Sequence, residues 1–250
     1  MSHYDERPYV TLLEDESNYP EEIEVWLVDG TWVRKHLQRE FSNFAHHYSK
    51  PKGIGGDAFK CIPEHEFWLD AGVDPAEIPF FIDHLRVEHY LMRRGMSYEL
   101  AEKEGTKVEE RERGKYKFAF PSGLEVNPEL RQIQEVGAGT SPIQHRAYKI
   151  LGPVQVFLVD GKMVRDKIDP RFCAGGHSEV YGYIPENHIW IDNASMLREW
   201  PFYIIHELHE FRDMQGGMKY PEAHKIASRV EWKCRWDRNE LYKVQKELGL

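Results

Sequence analysis

Cysteines are scarce in this chain, and none is placed to form a familiar cysteine-based structure. The 250 residues include only three, Cys61, Cys173 and Cys234, which lie far apart and form no Cys-x-x-Cys pair. They therefore indicate neither a disulfide framework nor a thiolate zinc site. From this cysteine usage we expect a reducing, cytoplasmic compartment.

Long apolar runs and a surplus of positive charge are also missing. No run approaches the ~18 apolar residues of a membrane span, and the first residues are polar with mixed charge. We therefore expect neither a secretory signal peptide nor a membrane anchor. With 33 basic and 42 acidic residues, a formal net charge of −9, the chain offers no broad basic surface for phosphate groups. We expect neither a membrane nor a nucleic acid among its partners.

What the sequence does contain is a repeat of itself. Residues 25–34 are VWLVDGTWVR and residues 156–165 are VFLVDGKMVR. After a loop that is longer in the first copy, residues 79–101 match residues 201–223 without a gap. Matches this numerous, in one order and with one change of length, indicate an internal duplication.

Each copy predicts the same succession of elements. An apolar, β-rich run ends at Asp-Gly, at 29–30 and at 160–161, which is typical of a hairpin turn. A second β-type run leads to a proline, Pro79 or Pro201, that suits the first turn of a helix. The expected helices are 80–93 and about 98–113 in the first copy, and 202–214 and about 221–247 in the second.

We therefore expect an α+β protein that is internally duplicated, with two tandem modules that each consist of a small β-sheet packed by two helices. The expected boundaries are a polar lead-in over 1–20, the first repeat over 21–113, a connection over 114–150 and the second repeat over 151–250.

The candidate metal ligands lie on the two predicted helices of the second repeat. The segment HELHE places His206 and Glu210 one turn apart on one helix face. On the next helix His224 and Glu231 are two turns apart and again share a face. A tight glycine turn at 216–217 would make the helices antiparallel and gather two imidazoles and two carboxylates between them. A borderline-hard divalent ion accepts such ligands.

A strand, a helix with His-Glu-x-x-(ligand) and a second helix with a third ligand resemble the core of zincin metallopeptidases. In those enzymes the motif is HExxH, both histidines bind zinc, and the glutamate activates the metal-bound water. The resemblance covers about 185–232. It implies His206 and His224 as zinc ligands and Glu207 as general base. Glu210 stands where the motif has its second histidine, so the ligand set is still two histidines and one carboxylate.

Three further residues are candidates beside this ligand set. His177 pairs with His46 of the first repeat and is a candidate catalytic residue, as a hydrogen-bond donor to a tetrahedral intermediate. It is alternatively a further ligand or a histidine that stabilises a turn. Glu231 is expected to contact the ligands rather than the metal, and His209 is expected either to be exposed or to contact the ligands.

The first repeat retains only part of the cluster. Its corresponding residues are His84, Glu88, Glu102 and Glu109. Leu85 stands where the second repeat has Glu207, so the first repeat has no equivalent base. Glu102 stands in place of His224. We expect a degenerate site, which either still binds a metal or survives only as a scaffold.

Three functions remain open. The first is a metal-dependent hydrolase, with zinc the most expected ion and a peptide or a small-molecule amide as substrate. The second is a non-catalytic binding or structural protein in which the duplicated His/Glu clusters only stabilise the fold. The third is a carboxylate-bridged di-metal oxidoreductase, which the absence of Glu-x-x-His pairs disfavours.

Overall fold

The computed structural model describes residues 9–13, 23–51, 57–115 and 144–250, and within them each repeat forms one four-stranded mixed sheet. The strands of the first module, in sheet order, are β1 (Tyr9–Leu13), β2 (Glu24–Val28), β4 (Glu66–Asp70) and β3 (Phe44–His46). Those of the second are β5 (Gln144–Leu151), β6 (Val154–Val159), β8 (His188–Asp192) and β7 (Gly175–His177). The two central strands of each sheet are parallel and both outer strands are antiparallel to their neighbours. The predicted duplicated α+β fold is confirmed.

The first three α-helices of each module also follow one plan, and the second module adds a fourth. The first has α1 (Gly30–His36), a short 3-10 helix at Pro75–Glu77, α2 (Ile78–Arg93) and α3 (Tyr98–Lys115). The second has α4 (Gly161–Lys167), α5 (Trp200–Gln215), α6 (Tyr220–Trp236) and α7 (Arg238–Leu248). None of the helices described is both long and apolar enough to cross a bilayer.

The predicted helices 80–93 and 202–214 fall inside α2 and α5, and about 98–113 inside α3. The single helix predicted over about 221–247 is wrong, because the chain breaks at Asp237. This residue has extended backbone angles, and its carboxylate accepts the backbone N–H of Asn239 as the N-cap of α7.

The two Asp-Gly pairs begin helices and do not form the hairpin turns that their pattern predicted. Asp29 is the N-cap of α1, where its carboxylate accepts a hydrogen bond from the backbone N–H of Trp32. Asp160 caps α4 in the same way. Because a helix follows β2 and β6, the chain crosses over, and the next central strand pairs in parallel instead of returning as a hairpin.

Two strands lie in stretches that the sequence assigned to other roles. β1 belongs to the polar lead-in and β5 to the connection, and each forms an outer strand paired with the first central strand of its module. The remaining parts of those stretches, 1–8, 14–20 and 116–143, lie outside the described residues.

The two central strands of each sheet are buried on both faces. In the second module Val156, Leu158 and Ile191 pack against the long helices, while Phe157 and Trp190 pack on the side of α4 and the following loop. This alternation is the two-residue period of a strand. The long helices that carry the candidate ligands are therefore anchored by one face of the sheet.

The modules contact each other through two equivalent sets of buried ion pairs. Arg34 of α1 lies 2.7 Å from Asp70 of its own module and 2.9 Å from Glu199 of the other. The corresponding residues on the other side are Arg165, Asp192 and Glu77. Because each module gives an arginine to a glutamate of its neighbour, the contacts are exchanged as in an isologous two-fold interface.

Candidate metal centre

The ligand-bearing helices of the second module are antiparallel neighbours. Gly217, between α5 and α6, has a φ of 91°, in the left-handed region that favours glycine. The chain therefore reverses tightly, as the sequence predicted. The middle of α5 then packs against α6, so that His206 contacts Glu231, and Glu210 contacts His224.

Three side chains that the sequence singled out converge between these helices. Nε2 of His206 lies 3.2 Å from Nδ1 of His224. Oε2 of Glu210 lies 2.7 Å from Nδ1 of His224 and 3.4 Å from Nε2 of His206. His206 and Glu210 are buried and His224 is half-buried. Two imidazole nitrogens and one carboxylate oxygen thus face a common point, which suits a divalent cation.

Glu231 holds His206 from the opposite side. Its Oε2 lies 2.8 Å from Nδ1 of His206, and its Oε1 lies 2.7 Å from the guanidinium of Arg235. Although burial alone would raise it, Arg235 and the hydrogen bond from His206 lower the pKa of Glu231 to about 2. An ionised carboxylate accepts the Nδ1 proton and leaves the Nε2 lone pair for a metal, as around many metal-bound histidines.

Glu40, which the sequence did not single out, holds His224 in the corresponding way. Its Oε2 lies 3.1 Å from Nε2 of His224, although it belongs to the first module. Burial opposes the shift, but the hydrogen bond from His224 lowers the pKa of Glu40. For His224, burial acts to lower the pKa, and the hydrogen bonds to Glu210 and Glu40 raise it overall.

His177 lies behind the ligand carboxylate and is fully buried. Its Nδ1 accepts the backbone N–H of Glu179 at 3.2 Å, so its proton is on Nε2, which donates to Oε1 of Glu210 at 2.9 Å. His177 also lies in a second close grouping with Glu207 and Glu210. Because both of its nitrogens are engaged, His177 offers no lone pair to a second ion. In this arrangement His177 holds Glu210 in place, and its role as a hydrogen-bond donor to a reaction intermediate stays a prediction.

Glu207 differs from its neighbours because its carboxylate has no hydrogen-bond partner among the described residues. Burial and the nearby charge of Glu210 raise its pKa to about 7, which the positive charge of His206 offsets only in part. A Cβ atom at Gly175 would lie 3.0 Å from its Oε1, so the glycine leaves room for this side chain. Glu207 is thus a half-buried carboxyl group beside the converging ligands.

His209, which the sequence places either at the surface or in contact with the ligands, is half-buried. In the described part of the chain its buried Nε2 has no hydrogen-bond partner, and it forms no ion pair with the three converging side chains. Burial lowers the pKa of His209, which keeps its imidazole neutral.

The site opens into a cleft of about 770 Å³ between the two modules. Residues of both modules line it, among them Glu40, Tyr98, Glu102, Arg171, Glu207 and Tyr220. Its volume lies within the range of roughly 300–1,000 Å³ typical of small-molecule sites. A substrate in this cleft would contact both repeats.

The first module keeps the buried histidine–glutamate contacts, but its potential ligands do not converge on one point. His84 lies 2.9 Å from Glu109 through Nδ1 and 3.3 Å from Glu88 through Nε2, and His46 lies 3.0 Å from Glu88. Glu88 also accepts the hydroxyl of Ser49 at 2.8 Å. Among the described residues of this module no three potential ligands converge, and Glu102 does not complete the set.

Comparisons with known proteins assign no family to the chain. No protein-family model, no curated protein and no solved structure matches it. The function must therefore be inferred from the geometry and chemistry of the site itself.

Proposed function

We propose that this protein is a metal-dependent hydrolase with one competent site, in the second module. The observation that carries this proposal is the convergence of His206, Glu210 and His224, each imidazole being backed by a carboxylate on its other nitrogen. Two histidines and one carboxylate are a ligand set that catalytic zinc uses with a fourth position open.

The spacing of the three donor atoms supports zinc. Tetrahedral ligands about 2.0 Å from zinc lie roughly 3.3 Å from one another. Nε2 of His206 lies 3.2 Å from His224 and 3.4 Å from Glu210, which agrees with this value. The remaining distance, 2.7 Å between Glu210 and His224, is that of a hydrogen bond and would lengthen by about 0.6 Å around an ion.

Hydrolysis is favoured because Glu207 stands next to this ligand set with a raised pKa. A divalent ion held by the three ligands would supply Lewis acidity, polarising a substrate carbonyl and acidifying water. Glu207, with a pKa of about 7, would take the proton from the attacking water and return it to the leaving group. The cleft admits a peptide segment or a small-molecule amide, so these are the first substrates to test.

The replacement Glu207→Gln tests the proposed chemistry. We expect the wild-type protein to contain about one tightly bound zinc ion per chain, and the variant to keep it. Turnover of peptide and amide substrates should fall by at least about 100-fold, the contribution typical of a general base. Metal content is measured by element-resolved mass spectrometry and turnover on a panel of chromogenic amides. Glu102→Gln, which removes a carboxylate from the cleft wall of the first module, is the matched control.

The alternative of a non-catalytic duplicated protein is supported by the first module. There the His84 cluster is buried and hydrogen-bonded although no third ligand joins it, so such a cluster can serve the fold alone. This alternative predicts that chelation lowers thermal stability while Glu207→Gln changes no function. A folded wild-type protein that takes up no zinc would contradict the hydrolase proposal.

A further inference from the structure

Glu40 places a carboxylate of the first module at the metal centre proposed for the second. It follows α1 in the chain, and its Oε2 lies 3.1 Å from Nε2 of His224 and 3.3 Å from Oγ of Ser228. His224 and Ser228 are one turn apart on α6, so the carboxylate contacts one helix face at two points. The side chain of Glu40 is only 12% exposed, which shields the contact from solvent.

The contact favours one nitrogen of His224 over the other as the metal ligand. A neutral imidazole carries one proton, and an ionised carboxylate can only accept it. Nδ1 lies within hydrogen-bond distance of Glu210, so a bound ion would take the place of the proton between them, while Glu40 keeps the other proton on Nε2 and leaves the Nδ1 lone pair for the ion. Nδ1 is the nitrogen that lies 2.7 Å from Glu210 and 3.2 Å from His206.

The equivalent contact on the other side of the molecule has the opposite charge. Arg171 of the second module occupies the position that corresponds to Glu40, and its positive charge interacts with Glu102, which corresponds to His224. Arg171 also pairs with Asp169 at 2.9 Å. At this pair of equivalent positions, the residue that reaches across the boundary is therefore acidic on the side where the ligands converge and basic on the other side.

We propose that Glu40 is a positioning residue that completes the metal centre from the other module. It fixes the tautomer and the ring orientation of His224, so that Nδ1 binds the ion. This inference rests on the proposed function, because it presupposes the metal. Zinc affinity then depends on how the modules are docked, since the ligands come from one repeat and this support from the other.

The test measures zinc affinity of the full-length chain by competition with a chromophoric chelator. Removing a support of this kind weakens metal binding by about 10–100-fold, which we expect for Glu40→Ala. Glu40→Gln should lose less, because its amide oxygen still accepts the Nε2 proton. Arg171→Gln, the matched change at the equivalent position, should leave the affinity within about threefold of wild type. Thermal unfolding of each metal-free variant confirms that it is folded.

Long-range 1H–15N NMR of the zinc-loaded wild-type protein supplies a second readout. We expect Nδ1 of His224 to bind zinc and Nε2 to carry the proton; zinc on Nε2 would overturn the inference. A purely structural contact would lower the melting temperature of the alanine variant without changing zinc affinity. If Glu40→Ala does not fold, the other two measurements decide. A wild-type zinc affinity of Glu40→Gln, together with zinc bound to Nε2 of His224, would contradict the inference. An affinity of Glu40→Ala equal to wild type overturns this inference alone, whereas wild-type protein that binds no zinc overturns the proposed function as well.

Discussion

Both modules contain the same buried chain of contacts from a helix histidine to a glutamate and on to an arginine. In the first module His84 contacts Glu109, which pairs with Arg113 at 2.9 Å. The corresponding residues of the second are His206, Glu231 and Arg235. These histidine–glutamate–arginine contacts are present even in the first module, where no ligands converge. They therefore belong to the architecture of the repeat. The histidine–glutamate pair alone therefore does not indicate a metal site.

The modules differ at the positions that surround this chain. In the first, Leu85 is fully buried where the second has Glu207, and the ring of Phe44 lies 5.1 Å from that of His84 where the second has Gly175. Apolar groups thus fill the space that the carboxyl group of Glu207 and an open cleft occupy in the second module. The same framework therefore carries either apolar packing or a converging polar cluster, depending on a few side chains at its edge.

The largest effect should come from removing the histidine of each framework. His206→Ala should reduce zinc from about one ion per chain to none after gel filtration, because it removes a ligand. His84→Ala should leave zinc bound, since the ligands of the second module are intact. Element-resolved metal analysis measures both. Loss of zinc in a folded His84→Ala protein would show that the two modules are not functionally distinct.

Arg34 and Arg165 occupy equivalent positions, and each pairs with a glutamate of the other module. Arg34→Met leaves Asp70 and Glu199 without this partner, and Arg165→Met does the same to Asp192 and Glu77. Breaking a buried ion pair on one side costs about 3–5 kcal/mol of unfolding free energy. We expect both variants to lose this amount, within about 1 kcal/mol of each other.

Urea denaturation of the metal-free full-length protein, at one pH, measures these losses. Arg39→Met, which removes a more exposed arginine, is the control and should cost less than about 1 kcal/mol. If only one of the two buried arginines mattered, the exchange of contacts would not be equivalent.

The fold could be predicted where the sequence repeats itself and where helices have clear boundaries. The Asp-Gly pairs were wrongly predicted to be hairpin turns, because an aspartate suits both a hairpin turn and a helix N-cap. The two structures are distinguished only by whether the next strand pairs in antiparallel or, after a crossover, in parallel. β5 was missed because it is an outer strand with exposed apolar side chains, Ile150 being 67% exposed. Its residues therefore lack the regular alternation of a half-buried strand.

The site could be predicted only as far as helix periodicity reaches. His206, Glu210 and His224 lie on neighbouring turns, so their spacing brings them together once the helices are antiparallel. Glu40 comes from the other module, and no local spacing links it to His224. The sequence does show that the charge is reversed between the equivalent positions Glu40 and Arg171. This reversal indicates a contact with His224 only once the structure shows which residues face these two positions.

The smallest effect is expected at the position that opens the cleft beside Glu207. In Gly175→Ala the new Cβ atom would lie 3.0 Å from Oε1 of Glu207, which is tighter than an ordinary contact, so the carboxylate must shift. Gly175 has no positive φ that would strain an alanine, so the unfolding free energy should change by less than about 1 kcal/mol. Zinc content should stay at the wild-type level, because the three ligands are untouched.

Turnover should nevertheless fall by about 10-fold, since a displaced base transfers its proton less efficiently. The kinetics of Gly175→Ala on the same chromogenic amides, compared with Gly182→Ala, where a Cβ atom meets open space, separate this effect from a general one. Unchanged turnover would mean that the room next to Glu207 is not used for catalysis. The glycine and phenylalanine at this position would then differ only in packing, and the contrast between the modules would rest on the metal ligands alone.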